Sequence, residues 1–452
     1  MKIVIVGGGK VGFAIAREMA HEGHSVTIID NDRNAVEKNS SLLDCMVLYG
    51  DGATISALRQ ADVAHCDLLI SAMPEGKINL ITCILARKMG CTNTIARYRE
   101  QSYREEIELI RHDLGLSMAV SPEASASKEM FRLLQLPGFK SRESFAKSRA
   151  EIVSLVLDEK NPLCNCRLMD LPRVLHQKVL VCAVRRGEDV TIPDGGFVLA
   201  QGDEVYFTAP AEELSRLLDN LGMRKKRARN IMIIGGGNIS ESLAEMLCRA
   251  GAHVKVIEKN PEICRGLAER LPQASILCGD GTSQRFLRSE GIEQMDAVVT
   301  LMNLDEENVF VLMFANMLGV PQTITKINRT EYLDICRSCG IDHAISPKTL
   351  CAQEVVRYVR AMQNTDAESV LSMYEMVNDK VEALEFEVPD MPHLGEKLMD
   401  LHLRPNILLA CITRRGQLLF PGGGDCLQKG DIVIVVSAKE RHIVRLEDIF
   451  AD

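Results

Sequence analysis

The sequence predicts an α/β protein: two Rossmann-like, doubly wound parallel-sheet domains, each followed by a small strand-rich α+β domain, in tandem duplication. Three observations carry this expectation. A short apolar run ending in glycines opens each half, Ile3-Val4-Ile5-Val6-Gly7-Gly8-Gly9 and Ile231-Met232-Ile233-Ile234-Gly235-Gly236-Gly237. The echo stays in register, with Gly50-Asp51-Gly52 returning as Gly279-Asp280-Gly281, Asn79 as Asn308 and Arg186-Gly187 as Arg415-Gly416, at a step of 228 or 229 residues. Strand and helix patterns then alternate at the spacing of βαβ units, which makes the sheet parallel with helices on both faces.

In the first half, Lys2–Val6 is an apolar run closed by glycines, as a strand buried on both faces requires. Val11, Ile15 and Met19 give Val11–His21 helical spacing, and Ser25–Asp30, Met46–Tyr49, Leu68–Ala72 and Asn93–Tyr98 read as further strands, with Asn79–Met89 helical between them. Right-handed crossovers then leave a doubly wound sheet as the natural topology. From about Glu151 the pattern becomes strand-rich: Glu151–Asp158, Val179–Arg185 and Glu204–Ala209, with turns at Pro193–Gly196 and Gly202-Asp203. Leu384–Val388, Ile407–Thr413 and Asp431–Val436 repeat it, and the basic run Arg224–Arg229 lies between the copies. The expected domains are 1–135 and 231–362 (large), 140–220 and 366–452 (small), with 221–230 as linker.

Bulk properties narrow the function. At 452 residues the chain exceeds one ordinary core, so two to four domains are expected. A net charge of −9 argues against a general nucleic-acid binder, and no apolar run approaches the roughly 20 residues of a membrane-spanning helix. Met1 leads straight into a strand, leaving no room for a signal peptide, so the 15 cysteines read as reduced thiols in a cytoplasmic protein.

The chemistry concentrates at the glycines. Gly7-x-Gly9-x-x-Gly12 follows a strand and opens a helix, the pattern that turns tightly, brings backbone to a pyrophosphate and packs helix on strand. The free N–H groups at the helix start, at Lys10 and Val11, then meet the anion. Asp30 ends the next strand, where a carboxylate accepts adenosine ribose hydroxyls and repels a 2′-phosphate; Asn31 follows it. The second copy reads Gly235-x-Gly237-Asn238-x-Ser240, with Glu258 in the acidic position. Serine in place of the third glycine leaves a degenerate, ligand-free site as an open alternative. Gly50, Asp51 and Asp280 follow the third strand of each copy, facing the adenine end of a ligand; alternatively each is an ordinary turn, with Asp capping the helix beginning near Thr54 or Ser283. Arg97 and Lys326 close matched strands, placing a cation for phosphate or merely a solvated charge, and Ala72 lies in the Ser71–Asn79 stretch.

The Gly7–Gly12 loop, Asp30, Gly50-Asp51-Gly52, Ser71–Asn79 and Ile95-Ala96-Arg97, with Arg186-Gly187, Pro193 and Gly202-Asp203 in the small domain, resemble the TrkA family, regulators of bacterial Trk potassium uptake. The modules of that family are the RCK (or KTN) domain and the TrkA-C domain, and the resemblance covers essentially the whole chain. It implies a protein that is not an enzyme, that binds NAD(H) or ATP/ADP as regulatory ligands, and that gates a membrane-embedded potassium-translocating subunit from the inner face of the cell membrane. It also implies a homo-oligomer, a tetramer by family analogy, with no nucleic-acid partner and no metal.

The competing class is an NAD-dependent oxidoreductase with duplicated dinucleotide-binding domains, which needs a proton-transferring side chain. His176 has no counterpart in the second copy, and His393 and His402 fall at unmatched places. An ATP-hydrolysing enzyme lacks its G-x-x-x-x-G-K-[ST] loop, since Gly9-Lys10-Val11 has no hydroxyl after the lysine. Cys336-x-x-Cys339 and Cys164-x-Cys166 have close spacing but no partner pair at zinc-finger distance, so packing of thiols is the simpler reading beside redox sensing. The basic run is read as a solvated linker, with contact to anionic lipid head groups as its alternative.

Overall fold

The computed structural model describes residues 1–99, 113–135, 139, 141–145, 150–159, 161–177, 179–210, 213–221, 227–341, 343–363, 370–377, 380–438, 443 and 445–451. Arg224, Lys225 and Lys226 of the basic run lie outside them.

In the first large lobe, β1 (Lys2–Val6), β2 (Ser25–Asp30), β3 (Met46–Tyr49), β4 (Leu68–Ser71), β5 (Asn93–Arg97) and β6 (Met118–Val120) form one sheet in the order β3-β2-β1-β4-β5-β6. Neighbouring strands pair in parallel throughout. The apolar run of β1 is buried over its last four residues, as a strand covered on both faces must be. The strand order reverses between β1 and β4, which opens a crevice at their carboxyl ends, the usual ligand position in such sheets. The second large lobe repeats this with β12 (Asn230–Ile234), β13 (His253–Glu258), β14 (Ser275–Cys278), β15 (Ala297–Thr300), β16 (Gln322–Lys326) and β17 (His343–Ile345), ordered β14-β13-β12-β15-β16-β17.

The small lobes are antiparallel five-stranded sheets. The first is built from β7 (Ser141–Phe145), β8 (Ala150–Val156), β9 (Leu180–Arg186), β10 (Asp189–Thr191) and β11 (Glu204–Pro210), ordered β10-β9-β11-β8-β7. The second uses β18 (Val370–Met376), β19 (Val381–Glu387), β20 (Ile407–Arg414), β21 (Gln417–Leu419) and β22 (Ile432–Ala438), ordered β18-β19-β22-β20-β21, the same arrangement read from the other edge.

The chain condenses by lobe type into two compact units. One pools the large lobes, Met1–Leu134 with Ala228–Val356; the other pools the small lobes, Gln135–Arg227 with Arg357–Asp452. In the first unit the helix Pro122–Gln135 leaves its own sheet, and its Ala126, Met130 and Leu134, at i, i+4 and i+8, join the core of Ile231, Ile233, Leu243 and Val254 in the second lobe. Met130 and Leu134 are fully buried there, each worth about 1.5–3 kcal/mol in area terms. The matching helix Pro347–Gln363 meets that helix, where Ser125 Oγ donates to Glu354 Oε2 at 2.8 Å. The two large lobes are thus joined through these helices.

In the second unit a shared core joins Ile152, Cys182 and Ala183 of one copy to Val381, Ala410 and Val436 of the other. Each small sheet is pinned by a two-pronged ion pair: Arg186 Nε and Nη2 reach Asp203 at 2.7 and 2.8 Å, and Arg414 does the same to Asp431 at 2.9 and 2.7 Å. This corrects the sequence pairing of Arg186 with Arg415. The hairpin registers put Arg186 opposite Asp189 and Arg414 opposite Gln417, so Arg414 is the true counterpart. The slip arises at the turn: Gly187 takes φ +62° in one copy, whereas Arg415 and Gly416 take φ +48° and +79° in the other. The glycine needed for a left-handed turn moved by one place while the ion pair stayed.

Candidate nucleotide-binding site

Each phosphate loop is made by a strand that ends in glycine and a helix that begins without a cap. Gly7 takes φ +97°, and a Cβ there would stand 2.9 Å from the Met73 nitrogen. At Gly12 a Cβ would fall 1.8 Å from the Gly7 carbonyl oxygen, so only glycine allows this approach of helix to strand. Gly9 is different: it is exposed, and a Cβ would meet nothing within 4 Å. It opens on the space that an anion needs. The helix Lys10–His21 starts after Gly9 with no side-chain cap, and Asn238–Arg249 after Gly237 likewise, whereas Asp32, Thr54, Asn260 and Ser283 cap the helices that follow them. Uncapped N–H groups beside a bare glycine form a ready anion cradle.

The second loop is intact despite Ser240. Gly235 takes φ +106°, and Gly237 sits at φ −78°, ψ −177° beside −66°, −169° for Gly9. Ser240 Oγ hydrogen-bonds the Gly235 carbonyl, so the hydroxyl replaces the close backbone approach made at Gly12.

Asp30 and Glu258 brace these loops. Asp30 accepts the Gly8 N–H at 2.5 Å and the Asp32 N–H at 2.8 Å, one on each oxygen. Glu258 accepts the Gly236 N–H at 2.7 Å and the Asn260 N–H at 2.8 Å. Each carboxylate oxygen keeps acceptor capacity for a hydroxyl. Of the alternative reading for Asp51 and Asp280, the turn holds and the capping does not: Thr54 and Ser283 cap the helices, while Asp51 accepts from Ala53 N and Asp280 from Thr282 N, each turning its own loop. Arg97 and Lys326 are not solvated surface charges. The Arg97 side chain is 16% exposed, with Nη2 3.6 Å from Glu123, and Lys326 donates to the Leu301 carbonyl at 3.4 Å. Burial holds the Lys326 ammonium below its ordinary pKa of 10.5, and Lys10 of the first lobe adds to that lowering against the pull of Asp305 and Glu123.

One cavity of about 1180 Å³ unites both loops, above the roughly 300–1,000 Å³ of a single ligand pocket. Gly7, Gly9, Lys10, Val11, Asp30, Asn31, Gly50, Asp51, Ala72 and Arg97 line it from the first lobe, and Gly235, Gly237, Asn238, Glu258, Asp280 and Lys326 from the second. Of the sequence candidates only Gly12 does not, being buried behind the loop. Asn238 Nδ2 donates to the Arg99 carbonyl at 3.5 Å, tying the second loop to the first lobe.

Several residues at the site carry no recognisable signal in the sequence. Asn39 is fully buried and donates to the Gly8 carbonyl at 3.0 Å. Asn79, in sequence only a landmark of the repeat, takes hydrogen bonds from Ser71 Oγ and Met73 N and gives them to the Met73 and Arg97 carbonyls, all within 2.8–2.9 Å. Asn308 does the same at Met302 and Lys326. These amides fix the floor of the crevice. Glu123 and Lys348 also line the cavity, and Lys348 is lowered from 10.5 first by burial, with Arg17, Lys38 and Lys10 crowding it. For this last pair a signal exists, because Ser121-Pro122-Glu123 and Ser346-Pro347-Lys348 are matched helix starts. His176, the dehydrogenase candidate, lies exposed in the other unit. Among the described residues no cluster of His, Cys, Asp and Glu is arranged to hold a metal ion, and no helix is long and apolar enough to cross a membrane.

Comparison with known proteins places this architecture. Residues 3–122 and 231–347 match the TrkA-N domain, and residues 152–222 match the TrkA-C domain. The Trk system potassium uptake protein TrkA of Halomonas elongata is 30% identical over 454 residues, covering 100% of this chain and 98% of the relative. A Trk system potassium uptake protein TrkA homolog of Archaeoglobus fulgidus is 29% identical over 450 residues, covering both chains fully. Among solved structures, the GsuK channel bound to NAD shares the fold, with a TM-score of 0.63 at 18% identity over 97% of this chain and 77% of that one. With both halves of its first unit matched to the TrkA-N domain and its full length aligned to these relatives, the chain belongs to the family of the Trk system potassium uptake protein TrkA.

Proposed function

We propose that this chain is the nucleotide-sensing regulatory subunit of a Trk-type potassium uptake system. It binds NAD(H) or ATP/ADP at both phosphate loops and sets the activity of a membrane-embedded potassium-translocating subunit, working by binding rather than turnover. The observation that carries this is the pair of uncapped helix starts, each beside an acidic side chain, opening into one cavity shared by the two large lobes. In each site the loop N–H groups hold phosphate, Asp30 or Glu258 takes ribose hydroxyls, and Asp51 or Asp280 faces the adenine end, with Arg97 and Lys326 neutralising phosphate charge. The GsuK channel, which has this fold, binds NAD, and that supports the same ligand class here.

The domain assignment that goes with this reading is 1–135 and 231–362 as nucleotide-binding modules, 140–220 and 366–452 as TrkA-C modules, and 221–230 as linker. A homo-oligomer, a tetramer in the simplest case, sits at the inner face of the membrane through its partner. A ligand can move such an assembly only as far as its affinities for the two shapes differ. A cavity walled by two lobes supplies that difference, since ligand length and phosphate charge act on both walls.

The test is calorimetric binding of NADH, NAD, ATP and ADP to the full chain, to Asp30→Ala and to Glu258→Ala. The reading expects differential binding, with each substitution removing one class of site. Absence of binding by all four at millimolar concentration sinks it, and hydride transfer from NADH to a carbonyl substrate would turn the assignment toward an oxidoreductase.

A further inference from the structure

The second phosphate loop has a pair of thiols behind it that the first lacks. Cys264 lies one turn into the helix Pro261–Arg270, its N–H bonded to the Asn260 carbonyl, and Cys278 ends β14 opposite Glu258 in the sheet register. Both sulfurs converge on consecutive carbonyls of one segment: Cys264 S–H donates to Glu258 O at 3.3 Å, and Cys278 S–H reaches Lys259 O at 3.9 Å. Burial, and after it the neighbouring Cys278 thiol, raise the Cys264 pKa to about 11. Cys278 is exposed, whereas Cys264 is 8% exposed. The Gly279 N–H is held by the Glu258 carbonyl at 2.9 Å, so the chain leading from Cys278 to Asp280 is anchored on the residue that braces the loop.

In the first copy the matching places hold Val36, bonded to Asp32 as Cys264 is to Asn260, and Tyr49, opposite Asp30 in the register. A fold that is satisfied by valine and tyrosine does not need two thiols there.

We propose that Cys264 and Cys278 form an oxidisable dithiol, a modification site that makes the second loop alone responsive to peroxide. The exposed Cys278 thiolate attacks hydrogen peroxide, breaking the O–O bond and giving a sulfenic acid and, with one proton, water. Cys264, deprotonated as it reacts, attacks that sulfur; the S–S bond forms, the S–O bond breaks, and the hydroxyl leaves as a second water. Two electrons pass from the two thiols to one peroxide, and an external dithiol reverses the change by exchange. The S–S bond is about 2.05 Å long, shorter than any contact the thiols now make, so its closure draws the end of β14 toward the helix and with it the loop carrying Asp280. A second thiol pair, Cys66 and Cys91 with sulfurs 3.4 Å apart, is 6% and 2% exposed and is the internal control for access.

The experiment treats the full chain with hydrogen peroxide, alkylates the remaining thiols and maps linked peptides by mass spectrometry. The expected result is a Cys264–Cys278 link that dithiothreitol reverses, absent in Cys278→Ser and in Cys264→Val, the latter carrying the residue that the first copy tolerates. Cys278 oxidised without linkage, linkage to another cysteine, no reaction, or a Cys66–Cys91 link formed first would each overturn the proposal. A further consequence rests on the nucleotide-binding reading above. With the first site silenced by Gly12→Ser, oxidation weakens NADH binding about tenfold, as for one lost hydrogen bond. Peptide mapping needs no ligand, so failure of that arm and failure of nucleotide binding are distinguishable.

Discussion

Removing the Asp30 carboxylate separates two roles that the structure superimposes. In the native loop one oxygen takes the Gly8 N–H at 2.5 Å and the other the Asp32 N–H at 2.8 Å. Gly8 is buried, so Asp30→Ala leaves its N–H without water or partner, at about 1–3 kcal/mol. Asp32 is exposed and its N–H turns to solvent at little cost. Thermal unfolding followed by calorimetry is therefore expected to fall by several degrees in Asp30→Ala, at roughly 2–4 °C for each kcal/mol. Asp30→Asn keeps one carbonyl oxygen for the Gly8 N–H, so its Tm stays near the wild-type value. It loses a charged acceptor for ribose, however, and a hydrogen bond to a charged group is worth about 1.5–3 kcal/mol, which is about ten- to hundredfold in Kd. The two variants thus diverge in stability and agree in weakened NADH binding at the first site. If Asp30→Asn lowers Tm as Asp30→Ala does while NADH affinity is unchanged, Asp30 is only a loop brace and the ribose role is wrong.

The third position of the phosphate loop should be asymmetric between copies. Gly12→Ser puts a Cβ 1.8 Å from the Gly7 oxygen and is expected to abolish first-site binding, whereas Ser240→Gly leaves second-site affinity within about threefold because Ser240 gives up one local hydrogen bond; titration calorimetry on the two variants checks both. Lys326 is lowered from 10.5 by burial, and a bound phosphate raises it again. Nucleotide affinity is then full below the free-state pKa and declines as pH rises through the bound-state value, with proton uptake between them. Calorimetry in buffers of different ionisation enthalpy detects that uptake, and Lys326→Met abolishes it. In the small lobe, burial alone would push the Asp203 carboxyl up, but Arg186 and the Ala200 N–H outweigh it and hold the group below 3.8. Its contribution is present above that ordinary value and is lost as pH falls through the lowered one. Arg186→Ala removes the contribution, so acid unfolding of the variant, followed by circular dichroism, begins at higher pH than in the wild type.

Much of this molecule is legible in its sequence because its signals are local. The strand Lys2–Val6 is read to the residue from an apolar run closed by glycine, and Asp30 from its distance past the loop. What stays hidden depends on contacts between distant segments. The Ala126, Met130 and Leu134 stripe announces a buried helix face, but nothing local says that the face it meets belongs to the other lobe. The union of two phosphate loops in one cavity is hidden for the same reason. A Gly-Asp-Gly turn and an N-cap share residue types, so Asp51 and Asp280 are candidates for both, and only geometry decides that Thr54 and Ser283 do the capping. The slip from Arg414 to Arg415 shows that matching letters tracks turn chemistry, whereas the ion pair tracks the strand register.

Fusion of two modules into one chain has a physical consequence that two separate copies could not reach. In a symmetric dimer of a single module both sites are identical by construction. Here the loop backbones agree within about 12° at the measured glycines, Gly7 with Gly235 and Gly9 with Gly237, yet the side chains around them have parted. Lys10 stands against Asn238 at the helix start, Arg97 against Lys326 at the strand end, Glu123 against Lys348 on the matched helices, and Val36 with Tyr49 against Cys264 with Cys278 behind the acid. These differences sit around the two loops, while the first two glycines of each loop are retained. Lys10 nevertheless adds to the lowering of Lys326 across the cavity, so an anion held at one loop changes the field at the other. Two unlike sites in one electrostatic space can weigh one ligand against another, a discrimination that two equal sites related by symmetry cannot divide between them.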